Sequence, residues 1–187
     1  MIITISGDAA TGTTTLAKHL SHTLKIPYQN AGIFFREYAE QHHVSLLTLT
    51  EETGINQDLD KHIDASLLHL MQTKTDIVIE GRLTSYLAWK HQIKSFRILL
   101  TATPEIQAQR LAKREYLDLD TALAQVRLRD QADWARYLKL YGISKNEQDH
   151  WNDLIIATDK SSIEQVYNKC LTAITHSPLY EDQSASS

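Results

Sequence analysis

Two groups of residues in this 187-residue chain have types and spacings suited to phosphate chemistry. The first is Gly7-Asp8-Ala9-Ala10-Thr11-Gly12-Thr13-Thr14-Thr15, a run of small residues between an apolar stretch and a helical pattern. Backbone N–H groups of such a loop converge on phosphate oxygens, and the positive end of the following helix faces them. The pattern for a nucleotide phosphate loop is G-x-x-x-x-G-K-[ST]. Gly7, Gly12 and Thr14 satisfy it, but Thr13 stands where lysine is required. The second group is arginine. Of eight in the chain, five lie between Arg110 and Arg136. Arg110 and Arg114 are one helical turn apart, and Arg129, Asp133 and Arg136 share a face at i, i+4 and i+7. Guanidinium forks grip phosphate oxygens at two points and keep their proton. A third signal is Glu80-Gly81-Arg82, an acid suited to accept from metal-bound water beside a phosphate ligand.

These residues need a scaffold, and the chain alternates in the way that supplies one. Short apolar runs occur at Ile2–Ile5, Ile77–Ile79, Ile98–Leu100 and Leu154–Ile156, with a weaker one at Pro27–Asn30. They lack strict polar alternation, as expected of strands covered on both faces. Helical patterns fill the gaps at 14–24, 33–43, 58–73, 83–91, 104–115, 119–140 and 161–175. Pro104 sits at a helix start, where its missing N–H costs nothing. Strand–helix alternation predicts an α/β fold with a parallel, doubly wound sheet. Its chemistry belongs just beyond the carboxyl ends of the strands: at Gly7, at Glu80–Arg82 after a strand expected to be central, at Thr101–Thr103 and at Ala157–Asp159. The serine-rich stretch 177–187, with two acids, reads as a disordered tail.

Composition narrows the classes. A hydrophobic content of 42% suits one globular domain with a real core. The net charge of −4 gives no basic excess for nucleic acid or a membrane surface. No apolar stretch approaches the ~18 residues of a membrane span, and no signal peptide is expected. The single cysteine, Cys170, cannot form an internal disulfide and fits a reducing cytoplasm. Nine histidines include no zinc-binding spacing. Trp89, Trp134 and Trp151 read as packing or surface residues, His42-His43 as a helix end, and Cys170 as core of the last helix. Asp60 and Asp64, one turn apart, are equally consistent with an acceptor contact and with plain helix surface.

In order and spacing over residues 1–160, the chain resembles the cytidylate kinases, nearer the short archaeal-type branch than the longer bacterial one. The resemblance rests on the loop at 7–15, Ala31-Gly32-Ile33-Phe34-Phe35-Arg36, Asp60 with Asp64, and Glu80-Gly81-Arg82. It continues in Arg129-x-x-x-Asp133-x-x-Arg136, Arg136-Tyr137 with Tyr141-Gly142-Ile143, and Asp153-Leu154-Ile155-Ile156. It implies a phosphate-loop (P-loop) NTPase fold: a five-stranded parallel sheet, helices on both faces, an acceptor-binding segment near 31–73 and a small helical lid near 110–136, all within one domain over 1–176. It further implies transfer of the γ-phosphoryl group of ATP to CMP or dCMP, with Mg²⁺, by a cytoplasmic monomer. Residues 7–15 would hold ATP, with Thr14 and Glu80 serving magnesium. Arg36, Arg82, Arg129, Asp133 and Arg136 would hold the acceptor, Asp133 through the ribose hydroxyls. Arg82, Arg110 and Arg114 would stabilise the transferring phosphate, the last two as lid residues.

Three positions depart from the pattern. Thr13 replaces lysine; G-T-T-T is an archaeal-type trait, and the lid arginines are the expected compensation. Leu83 follows Arg82 where the bacterial branch has aspartate, and Ser144 stands where aspartate usually follows Y-G-I. A kinase for another small acceptor, and a nucleotide-binding regulator without catalysis, remain the alternatives.

Overall fold

The computed structural model describes residues 1–43 and 57–180. Five strands, β1 (Ile2–Gly7), β2 (Tyr28–Asn30), β3 (Ile77–Glu80), β4 (Ser95–Thr101) and β5 (Leu154–Ala157), pair in parallel in the order β2-β3-β1-β4-β5. The central strand is therefore β1, not β3 as the sequence suggested. β3 instead fills the gap left when the chain crosses from β1 to β2. The helices are α1 (Thr13–Leu24), α2 (Ala31–Gln41), α3 (Gln57–Thr73), α4 (Thr84–Lys90), α5 (Pro104–Glu115), α6 (Leu119–Tyr141) and α7 (Ile163–Thr175), with a 3-10 segment at Lys145–Trp151. These match the expected segments within about two residues. α2 starts earlier than expected because it follows directly on Asn30, where β2 ends, with no intervening loop. Part of the expected acceptor segment, 44–56, lies outside the described residues.

Both faces of the sheet are covered, as the apolar runs required. On one face Ile3, Ile5, Val78, Ile98 and Leu100 pack with Leu16 and Leu20 of α1 and with Val166, Cys170 and Ile174 of α7. On the other, Ile2, Ile77 and Ile79 join Leu67, Leu87, Tyr137 and Trp151. β1 also buries two hydroxyls on this side. Thr4 lies 3.1 Å from Ser85 Oγ and Ser6 lies 3.1 Å from Thr84 Oγ1, so the start of α4 is held to the middle of the sheet by polar contacts. Buried hydroxyls need such partners.

α5 and α6 form a helical hairpin with a small core of its own, Ala108, Leu111, Ala122 and Val126. The later part of α6 leaves that hairpin and packs Trp134, Tyr137 and Tyr141 into the main body. Gly142 ends α6 at φ 70, and Ile143 is buried immediately after it. Residues 177–180 correct the tail expectation. Ser177 is buried, its hydroxyl donates to the Ile174 carbonyl at 2.7 Å, and Leu179 and Tyr180 rest on the core. Residues 181–187 lie outside the described part.

Candidate active site

The loop after β1 turns tightly because its glycines permit it. A Cβ on Gly7 would sit 2.6 Å from the Leu100 carbonyl oxygen and 2.5 Å from Thr11 Oγ1, so the chain can pass β4 only without a side chain there. Gly12 has φ 103, a left-handed conformation that favours glycine, and it launches α1. The loop is held from inside. Thr11 donates its hydroxyl to the Asp8 carbonyl at 2.9 Å, and the Thr158 hydroxyl reaches the Thr11 carbonyl at 3.2 Å. Against this loop lies a cleft of about 690 Å³, lined by residues 10–16 and by Arg110, Arg114, Tyr116, Thr158 and Ile163 among others.

At the start of α1, Glu80 collects three hydroxyls. Thr14 donates to Oε1 at 2.7 Å, Thr13 to the same oxygen at 3.1 Å, and Tyr28 to Oε2 at 2.6 Å. Parallel pairing of Ile5 with Glu80 and of Asn30 with Glu80 brings these strand ends together. Burial raises the Tyr28 hydroxyl well above its ordinary range, and Glu80 adds to the effect, so Tyr28 stays a donor. Thr13 is thus a neutral partner of the acid, in the place where a lysine would have carried charge.

A dense ionic cluster occupies the side of the loop facing α6. Arg82 ion-pairs with Asp133 and lies 3.7 Å from Asp130 and 3.9 Å from Asp8. Its Nη1 is nonetheless buried without an aligned hydrogen bond, a deficit that phosphate oxygens would relieve. Arg136 pairs with Asp133 at 3.0 Å and with Asp60 at 3.4 Å, and Tyr141 donates to Asp64. Burial first, and then the nearby Asp64 and Asp133, push Asp60 up to about 6 against the pull of Arg136. Asp60 and Asp64 therefore join the ionic cluster and are not plain helix surface. Trp134 packs in the main body and also donates its indole N–H to Asp8 at 3.3 Å.

The expected residues do not all converge. Glu80, Thr14, Arg82, Asp133 and Arg136 do. Arg129 points outward and makes no hydrogen bond or ion pair with the described residues; Asp130 takes its place in the cluster. Arg36 is exposed on α2. Arg110 and Arg114 line one cleft but differ. Arg110 donates to the Ala10 carbonyl at 3.1 Å and to the Thr158 hydroxyl and carbonyl at 2.9 and 2.8 Å, which makes it part of the loop's wall. Arg114 is exposed and paired with Glu115. Sequence reasoning missed Lys145, whose ammonium bonds Asp8 and lies 3.5 Å from Asp130. An acid inside a phosphate-binding loop was the available signal, since it demands a nearby cation.

A phosphate-loop kinase fold with an ionic cluster beside the loop is the class these features define. The family model for the cytidylate kinase-like family matches residues 2–160, and the chain belongs to that family. Relatives include the cytidylate kinase of Methanobrevibacter smithii, 34% identical over 93% of this chain and 98% of that one. That of Sulfurisphaera tokodaii is 35% identical over 89% and 91%. Among solved structures, the shikimate kinase of Bacteroides thetaiotaomicron superposes with a TM-score of 0.64 at 15% identity, covering 93% of this chain and 98% of that one. A gluconokinase from Sinorhizobium meliloti gives 0.64 at 9% identity, covering 99% and 96%. At those identities the likeness shows the fold alone.

Proposed function

We propose that the chain transfers the γ-phosphoryl group of ATP to CMP, and to dCMP, releasing ADP. The observation that carries this reading is the meeting of two unlike sites at one strand-end row. A phosphate loop with its Thr14–Glu80 contact lies on one side, and the Arg82–Asp133–Arg136 cluster on the other. In phosphoryl transfer a protein chiefly positions reactants and neutralises charge, and this arrangement offers both. ATP occupies the cleft, its phosphates against the N–H groups of residues 7–15. The monophosphate takes Arg82 and Arg136 from their carboxylates, leaving Asp133 to accept from the ribose hydroxyls. Arg36 stands at the rim of the acceptor site, Arg129 takes no part, and the α5–α6 hairpin serves as the lid that carries Arg110 and Arg114.

The hard oxygens of Thr14 and Glu80 suit Mg²⁺, which is usually held by one or two protein oxygens together with substrate phosphates. Among the described residues no group of three His, Cys, Asp or Glu side chains forms a protein-only cage. Bound there, the ion would neutralise charge on the phosphates. Among the described residues no helix is long and apolar enough to cross a membrane.

The test is a coupled assay with ATP·Mg²⁺ and a panel of nucleoside monophosphates. CMP and dCMP are expected to give diphosphate products. Absence of product from every monophosphate, with protein shown to be folded, overturns the reading.

A further inference from the structure

The phosphate loop lacks its own cation, and several lie near it: Arg110, Lys113 and Arg114 along the cleft, and Arg82 and Lys145 beside Asp8. Thr13 turns its hydroxyl to Glu80. Arg110 donates three hydrogen bonds to Ala10 and Thr158, Arg114 pairs with Glu115, and Arg82 pairs with Asp133. Lys145 is held differently. Its Nζ lies 2.5 Å from Asp8 Oδ2 and 3.5 Å from Asp130 Oδ2, and its side chain is 48% exposed. Asp8 is the first residue after Gly7 in the loop itself. Lys145 shares Asp8 and Asp130 with Arg82, so it meets the loop on the side of the ionic cluster.

Local structure explains this placement. α6 stops at Gly142, and Ile143 is anchored in the core. Ser144 then caps the 3-10 segment: its N–H and hydroxyl both reach Glu147 Oε2 at 2.7 Å. Lys145 is the first residue after that cap, at the position following the family's usual aspartate. A serine caps as well as an aspartate does, so the departure at Ser144 keeps the turn that presents Lys145.

Asp8 matters to the charge balance. A carboxylate in the loop repels incoming phosphates unless a cation accompanies it. Lysine is a compact point charge on a flexible stem, able to move from a carboxylate to a phosphate oxygen a short distance away. Burial pulls the Lys145 ammonium down, but the Asp8 hydrogen bond and the charges of Asp8 and Asp130 outweigh it and keep it protonated.

We infer, resting on the phosphotransfer reading above, that Lys145 supplies the phosphate-contacting cation the loop lacks at Thr13. Without nucleotide it rests on Asp8; with both nucleotides bound it contacts phosphate oxygens between donor and acceptor. Its role is catalytic, beside the compensation expected of the lid arginines.

Steady-state kinetics of K145M, K145R, D8N and D8N/K145M test it, with thermal melts to verify folding. K145M should lower kcat for CMP by about 10² or more, the scale of one lost transition-state charge stabiliser. The KM for ATP should rise by no more than about tenfold, less than kcat falls, because the contact exists in the ground state and strengthens in the transition state. K145R should recover part of the rate. The same loss should appear when K145M is made in the D8N background, because the target is phosphate and not Asp8. A K145M kcat within about threefold of the parent overturns the inference, as does disappearance of its effect in D8N, which would make Lys145 only a partner for Asp8. If the parent protein phosphorylates no monophosphate, the functional reading fails separately. Calorimetric binding of inorganic tripolyphosphate with Mg²⁺ then decides: at least a fivefold weaker affinity in K145M supports the contact, and equal affinity overturns it, on the scale of one charged hydrogen bond.

Discussion

The two sides of the phosphate loop are built on different principles. The donor side uses backbone and neutral oxygen: glycines at 7 and 12, hydroxyls of Thr13, Thr14 and Tyr28 on one carboxylate, and an arginine tied to main-chain carbonyls. The side proposed for the acceptor is crowded with charge, with Asp8, Asp60, Asp130 and Asp133 around Arg82, Arg136 and Lys145. A donor cradle must fit one shape, which a stiff backbone provides. An acceptor site must hold an anion and then release a more charged product. Carboxylates that re-pair with the same cations keep that exchange near balance, since each buried charge always has a partner.

The sharpest break in this contrast is Glu80→Gln. Losing the charge that organises Thr13, Thr14 and Tyr28 should lower turnover by about 10²–10³, the scale for one organising electrostatic group. Folding, followed by thermal melt, should change little. A rate within tenfold of the parent would mean the hydroxyl cluster is structural.

On the acceptor side, Arg82→Ala and Arg136→Ala should each reduce kcat/KM for CMP about 10- to 150-fold, corresponding to ~1.5–3 kcal/mol for one charged hydrogen bond. ATP affinity, measured by calorimetry, should stay nearly constant. An equal fall in both affinities would place these arginines on the donor side and erase the contrast.

A pH experiment sharpens the same point without substrate. Asp60 is raised from 3.8 to about 6 on folding, so the native chain binds its proton more tightly than the unfolded chain. That contribution to stability is complete below about pH 4 and is lost as pH rises through 6. The stability difference between the parent and Asp60→Asn should therefore shift against the parent between pH 4 and 7, by on the order of 1–3 kcal/mol. Denaturant melts at both pH values measure it, and a pH-independent difference would show that Arg136 compensates Asp60 completely.

The smallest effect is expected at Ser144→Ala, which removes a cap hydrogen bond. The stability cost should be about 0.5–2 kcal/mol. Turnover should fall only as far as Lys145 loses its placement, and an unchanged rate would mean Ile143 alone positions that residue.

Much of the donor side was legible in the chain. Glycine spacing specifies a loop because only glycine tolerates the approach at Leu100 and the φ of 103 at position 12. Five apolar runs gave the five strands, since period and composition are local properties. Glu80 could be paired with the loop because both follow strands, and parallel strands bring their carboxyl ends to one edge. The acceptor cluster was only half legible. Arg82, Asp133 and Arg136 stood out by type, but helical spacing alone favoured Arg129 over Asp130, a choice settled by how α6 rolls against the sheet. Likewise the hydrophobic runs carried no information on strand order, and β1 took the centre because later crossovers fell on either side of it.

The sequence by itself determined the elements, the loop and the family, because each depends on neighbours a few residues away or on motifs kept in order. Tertiary structure alone decided which charges meet. Asp8 and Lys145 are 137 positions apart, Arg82 and Asp133 are 51 apart, and nothing in either local pattern joins them. Their pairing follows from where α6 ends, how Ser144 caps the next turn, and which strand ends lie side by side. Spacing along a helix can put charges on one face, but it does not say what that face meets; a site forms only where the fold brings opposite signs within a few ångströms.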